Sequence, residues 1–330
     1  MKQFLINTGI VLAALLFSLL LGEALLRGQC YLSLNYDFEM WRYAAELKEP
    51  LPHGALPFHH KANRTGNYYG VEVRTNSFGL RDVDYVVPKQ PGRKRIVLLG
   101  DSFTFGWGVT QADTYAKQLE KMMRQAGKAD EVINMGVGNY NSAMEVELFK
   151  LKGLKLEPDM VVLMYYINDV EPTPRINRAS YHVLKHFYLP AYVNTKVKQL
   201  GMRNSHKDWL TWYYRSIYAP ESEGMKKNGE ALQELARICK ERNIKLLLVN
   251  IPDLRRLDSY PFDFATAHIR GFASEQQLPF LDLLPVFSPY EGKSLWVSPE
   301  DSHMNVRANT LAAEALFKKI TGDNLPDDMR

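Results

Sequence analysis

The sequence predicts an α/β protein with a flavodoxin-like, doubly wound parallel sheet in a three-layer α/β/α arrangement, preceded by an N-terminal transmembrane helix. Three observations predict it. Short, continuous apolar runs alternate along the chain with segments of helical period, the pattern of parallel strands buried on both faces and joined by helices. A 19-residue run without a charge occupies the extreme N-terminus. The remainder has ordinary globular composition, 46% hydrophobic and 24% charged, which excludes disordered, collagenous and coiled-coil classes.

The uncharged run extends from Phe4 to Gly22, and as a helix at about 1.5 Å per residue it matches a hydrocarbon core of about 30 Å. Glu23 and Arg27 mark its exit. Residues 1–27 therefore read as an uncleaved anchor that meets the membrane through residues 4–26. A cleaved signal peptide is the competing reading, since Lys2 supplies a short positive region, but no small-x-small cleavage site comes after the run. The three-residue tail before the run suggests export of the residues beyond it. The expectation is a single-pass protein of the inner (cytoplasmic) membrane with its globular part on the periplasmic or extracellular side.

Residues 28–92 read as a stalk and a strand-rich lead-in, with β-like stretches such as Tyr68–Arg74 and no helical period beyond the first turns. Residues 93–330 read as one domain. Its strands are expected at Arg95–Leu99, Val132–Asn134, Met160–Tyr166, Lys245–Ile251 and Pro279–Asp282; its helices at 111–126, 141–155, 226–242, 262–276 and 306–320. An insertion over 175–225 interrupts the alternation. Its first part, 175–218, holds eight Lys or Arg against one acid, Asp208, together with nine aromatic residues. Such a segment suits a packed helical insertion, a membrane-surface element or a cover over a site, and the cover is the use expected of its aromatics, among them Tyr181, Tyr188, Tyr192, Trp212 and Tyr214.

A net charge of +4 over 330 residues is too small for a dedicated nucleic-acid binder. Two cysteines, Cys30 and Cys239, exclude a disulfide scaffold. His182 and His186 sit four apart with no carboxylate placed beside them, which favours a surface pair over a metal site, and no phosphate-cradling glycine loop occurs. No cofactor and no metal are expected, and nothing identifies a protein partner.

Four polar blocks carry the chemistry. Gly100-Asp101-Ser102 follows the first sheet strand and puts a hydroxyl at the carboxyl edge of the sheet; alone, it would equally suit an N-capping serine. Asn134-Met135-Gly136-Val137-Gly138-Asn139 follows the second strand, Asn168-Asp169 the third, and Glu300-Asp301-Ser302-His303 lies beyond the last. In doubly wound sheets ligands bind at that edge. A serine attacks an ester only when a neighbouring imidazole takes its proton, and the resulting oxyanion needs fixed donors.

In this order the blocks resemble the SGNH (GDSL-type) hydrolase superfamily, over roughly residues 93–320 apart from the insertion. Thr75–Asp82 is similar to the segment preceding the serine block in membrane-anchored bacterial members. The resemblance implies Ser102 as nucleophile, His303 as general base and an acid just before it. The family's usual acid position is Glu300; the shorter Asp-x-His spacing of related acyl-transferring members favours Asp301. The oxyanion hole would comprise the Ser102 N–H, a backbone N–H of Gly138 or Asn139, and the Asn168 side chain. Asn139 stands where the family usually has glycine, and Asp101 is expected to support the turn. The implied function is a serine ester hydrolase working through an acyl-enzyme on an acylated carbohydrate or lipid. Its alternatives are an O-acyltransferase of an extracellular polysaccharide with the same triad, and a non-catalytic carbohydrate-binding assembly factor.

Overall fold

The structure, a computed structural model, describes residues 1–32, 34–51, 56–174, 185–203 and 208–322. The apolar run lies within α1 (Lys2–Leu32), a helix long and apolar enough to cross a membrane. The next segment corrects the sequence reading, because Tyr36–Leu47 forms a helix, α2, where none was expected. Asn35 caps it by accepting the Phe38 N–H, and Tyr36, Met40, Tyr43 and Leu47 fall at i, i+4, i+7 and i+11 on one face. Two antiparallel hairpins come next, β1 (Lys48–Pro50) with β2 (Phe58–His60), and β3 (Thr65–Tyr68) with β4 (Val71–Arg74). Helix α2 and the β3–β4 hairpin share a buried cluster with Phe105 and Trp107, and His60 of β2 packs on Phe105 with ring centroids 5.3 Å apart, so this lead-in lies on the chain beyond it and does not merely space that chain from α1.

The central sheet contains β5 (Arg95–Leu99), β6 (Glu131–Asn134), β7 (Met160–Tyr165), β8 (Lys245–Asn250) and β9 (Phe280–Asp282), all parallel, in the order β6-β5-β7-β8-β9. This is the flavodoxin-like order. The winding direction reverses between β5 and β7, and a crevice opens there at the carboxyl edge. Among the described residues the further helices are α3 (Ser102–Phe105), α4 (Tyr115–Gln125), α5 (Ser142–Leu151), α6 (Tyr188–Arg203), α7 (Trp209–Ile217), α8 (Glu223–Glu241), α9 (Asp263–Glu275), α10 (Leu284–Phe287) and α11 (Val306–Thr321). Alternate residues of β5 feed two cores: Ile96 and Leu98 pack with α4 and α11, Val97 and Leu99 with α5 and α8.

Two helix boundaries differ from expectation for local reasons, and one strand pair is additional. The helix expected from 111 begins as a 3₁₀ turn, Gln111–Asp113, and becomes α-helical only after Thr114 caps it. The helix expected to 155 stops at Leu151 and continues as the 3₁₀ turn Gly153–Leu156. Beyond the sheet, β10 (Trp296–Ser298) pairs antiparallel with β11 (Asp301–Met304), where no strand was expected.

In the insertion, Tyr181 and His182 lie outside the described residues. Tyr188 and Tyr192 of α6 pack on Phe38 of α2, with ring centroids 6.0 and 5.5 Å apart, and so face the lead-in and not the sheet edge. Tyr214 of α7 is buried and does reach the crevice.

Candidate active site

The apolar run of β5 ends in Gly100-Asp101, and Asp101 accepts the Phe103 N–H at 2.9 Å, capping the one-turn helix α3 with Ser102 as its first residue. The far end of that turn is held from the lead-in. Buried Arg81 donates to the carbonyls of Phe105 (3.0 Å), Gly106 (2.6 Å) and Val109 (2.7 Å). The loop after β6 lies directly against α3 at Gly136, where a Cβ would come within 2.1 Å of the Phe105 nitrogen. Only glycine fits there, and the serine turn is thereby fixed on three sides.

Two residues apart on a strand share a face, so β11 presents the side chains of Asp301 and His303 together. His303 Nδ1 lies 2.5 Å from Asp301 Oδ1, and Nε2 lies 2.8 Å from Ser102 Oγ. A carboxylate only accepts; Nδ1 therefore carries the hydrogen, and the Nε2 lone pair faces the serine hydroxyl. The Trp107 indole N–H donates to the other carboxylate oxygen at 2.9 Å. Burial alone would raise the Asp301 carboxyl, but the adjacent imidazole and the hydrogen bonds from His303 and Trp107 outweigh it and hold the group below its usual range. Glu300 sits exposed in the β10–β11 turn, where its carboxylate accepts from Ser298 Oγ at 3.4 Å. Of the two candidate acids, the geometry joins Asp301 to the imidazole.

Asn168 follows β7 in the 3₁₀ turn Ile167–Val170, and its Nδ2 donates to Asp101 Oδ2 at 2.8 Å. Asp101 thus does two things, capping α3 and orienting the Asn168 amide across the crevice. Asn139 lies at the pocket with φ +64, in the left-handed region that asparagine tolerates better than most residues. Gly138 does not fit the role expected of it. Its N–H donates to Tyr43 Oη at 2.9 Å and is committed to the lead-in, so of the two second-block candidates Asn139 remains.

The four blocks converge on an open pocket of about 370 Å³. Sequence reasoning missed several of its residues. Tyr36 from α2 packs on the His303 ring, 5.7 Å between centroids, and Tyr166 and Trp296 add further aromatic wall. Arg255 lines the pocket with its guanidinium held by Asp253, which is fully buried and also accepts from Tyr166 Oη at 3.1 Å. Glu171 lines it too, and burial together with the Asp101 charge pushes its carboxyl up to about 7. A signal for Arg255 existed, because Asp253-Leu254-Arg255 follows β8 at the same carboxyl edge as the other blocks. Tyr36 lay in the helix that went unread. Among the described residues no group of three or more His, Cys, Asp or Glu is placed to hold a metal ion.

No curated protein matches the chain. Among solved structures it is similar to TesA, at 14% identity over 69% of this chain and 99% of that one, with a TM-score of 0.47. It is similar also to the psychrotrophic esterase EstA from Pseudoalteromonas sp., at 15% identity over 69% and 97% with a TM-score of 0.46. An acetyl xylan esterase, AlAXEase, matches at 18% identity over 68% and 99%, with a TM-score of 0.44. The model of the GDSL-like lipase/acylhydrolase family matches residues 98–311, well over half of the chain and the whole of the region that brings Ser102, Asn168 and His303 together, and the protein belongs to that family and hydrolyses ester bonds.

Proposed function

We propose that the protein is a membrane-anchored serine esterase that removes acyl groups from a carbohydrate through an acyl-enzyme on Ser102. The observation that carries this reading is the hydrogen-bonded series Ser102 Oγ, His303 Nε2 and Nδ1, Asp301 Oδ1. Ser102 Oγ attacks the ester carbonyl while His303 Nε2 takes its proton, and Asp301 stabilises the imidazolium. The oxyanion is received by Asn168 Nδ2 and by the backbone N–H groups of Asn139 and Ser102. Collapse expels the alcohol, protonated by His303; water then repeats the sequence on the acyl-enzyme. A pocket walled by Tyr36, Tyr166, Tyr214 and Trp296 and set with Arg255 and Glu171 suits the stacked faces and hydroxyls of a sugar better than an acyl chain. The test is labelling with a p-nitrophenyl alkylphosphonate and then peptide mass spectrometry. The adduct is expected on Ser102, and inactivation with the label elsewhere would overturn the reading. Deacylation of an acetylated oligosaccharide, measured with and without a sugar acceptor, distinguishes hydrolysis from transfer.

The anchored location has its own support. Glu23, just past the uncharged run, accepts the N–H groups of Tyr188 (3.0 Å) and Leu189 (2.9 Å), the first residues of α6, and Arg27 Nη2 donates to His186 O at 2.6 Å. Removal of residues 1–27 would leave that helix start unsatisfied. Cell fractionation is expected to find the full-length chain in the membrane, with residues 28–330 cleaved by protease added on the periplasmic side. A soluble form lacking residues 1–27 would refute the anchor.

A further inference from the structure

The lead-in reaches the site from outside residues 98–311, the stretch matched by the family model. Lys48, at the start of β1, is 4% exposed, and its Nζ donates to Gly138 O at 2.5 Å and to Asn139 Oδ1 at 3.0 Å. The rings of Tyr43 and Phe58 stand 4.6 and 4.4 Å from the nitrogen. Burial drives this ammonium well below the ordinary lysine range. A lysine buried this far opposes folding unless its donors are used, and two of its partners belong to one loop.

The carbonyl of Gly138 and the N–H of Asn139 are the two ends of a single planar peptide. A donor fixed on the carbonyl therefore fixes the direction of the N–H opposite, and by polarising the amide makes that N–H a stronger donor. Tyr43 Oη accepts the Gly138 N–H on the preceding peptide, so both polar groups of residue 138 are gripped by the lead-in. The contact to Asn139 Oδ1 also holds residue 139 at φ +64, a region where an L side chain is strained.

We propose that Lys48 is a positioning residue of the oxyanion site, aiming the Asn139 N–H at the oxygen of the tetrahedral intermediate by holding the Gly138 carbonyl and the Asn139 side chain. The proposal rests on the serine esterase reading and deepens it. In the full-length protein in detergent, with p-nitrophenyl acetate as substrate, Lys48→Met should lower kcat by about 10- to 100-fold, less than outright loss of a donor, while KM stays within about twofold. Phosphonylation of Ser102 should slow in the same ratio, because that reaction builds the same oxyanion. Lys48→Gln, which keeps an N–H donor, should recover several-fold of the loss; a purely structural role would lower Tm without this kcat pattern. A folded Lys48→Met with kcat within about twofold of the parent, beside an inactive Ser102→Ala, overturns the proposal. Activity persisting in Ser102→Ala would instead overturn the esterase reading itself. Should Lys48→Met fail to fold, Lys48→Gln decides: its shorter, uncharged amide polarises the Gly138 carbonyl less, so kcat should lie at least about threefold below that of the parent with KM unchanged, and a parental kcat would overturn the proposal.

Discussion

Replacing Ser102 with alanine is expected to abolish turnover of small acetyl esters, with a loss in kcat on the order of 10⁴- to 10⁶-fold, and His303→Ala should lose about as much. The double variant should be no worse than either single one. In the proposed mechanism serine and imidazole act as a unit, since the hydroxyl is a poor nucleophile until Nε2, 2.8 Å away, takes its proton, and Nε2 has nothing to activate once the hydroxyl is gone. Neither change should prevent folding, because α3 is held by Asp101, Arg81 and the Gly136 contact, none of which involves the serine hydroxyl. Initial rates per folded molecule, with folding monitored by circular dichroism, measure it. Residual activity above a few per cent in either variant, or additive losses in the double variant, would mean that the chemistry runs through another group.

Asp301→Asn should reduce kcat by about 10³- to 10⁴-fold, whereas Glu300→Gln should change it less than threefold. An amide at position 301 no longer fixes the hydrogen on Nδ1, so the imidazole adopts the tautomer that presents N–H to the serine and cannot accept its proton. Glu300 lies in the turn and bonds only weakly to Ser298 among its described contacts. The substitution should also alter the acid limb of stability. The Asp301 carboxyl is depressed in the folded protein, so its stabilising contribution is complete above the ordinary carboxylate pKa and disappears as pH falls through the lower folded value. Asp301→Asn removes that contribution, and the difference in Tm between parent and variant should shrink in acid. A variant pair with the kinetic order reversed would transfer the role to Glu300.

The central fold was legible because β5, β7 and β8 are buried on both faces and apolar along most of their length, which leaves continuous runs ending where the polar blocks begin. Ser102 and Asn168 were legible for the same reason. The choice of Asp301 over Glu300 rested on residue type and a family spacing; the physical cause is the strand β11, which went unread because Asp301-Ser302-His303 is polar and lacks the apolar run that marks the sheet strands. Helix α2 was missed although its stripe of Tyr36, Met40, Tyr43 and Leu47 is helical, because tyrosines suit strands as well and the neighbouring hairpins set the expectation. No pattern in one dimension marks Lys48. Its meaning depends on Gly138 being 90 residues away in sequence and 2.5 Å away in space.

The two parts of the chain on either side of the exposed loop at 86–94 meet across much of the site: Tyr36, Tyr43, Lys48, Arg81 and Asp82 lie before it, their partners after it. The N-terminal part therefore behaves as an intramolecular subunit whose docking surface is the family domain. A chain nicked in that loop would still be joined by its buried tyrosines, its Arg81 contacts and the Asp82–Lys117 ion pair. A family domain expressed by itself would carry Ser102, Asp301 and His303 while lacking the wall over its imidazole and the grip on its second-block loop: chemically complete, but an apoenzyme waiting for a polypeptide cofactor.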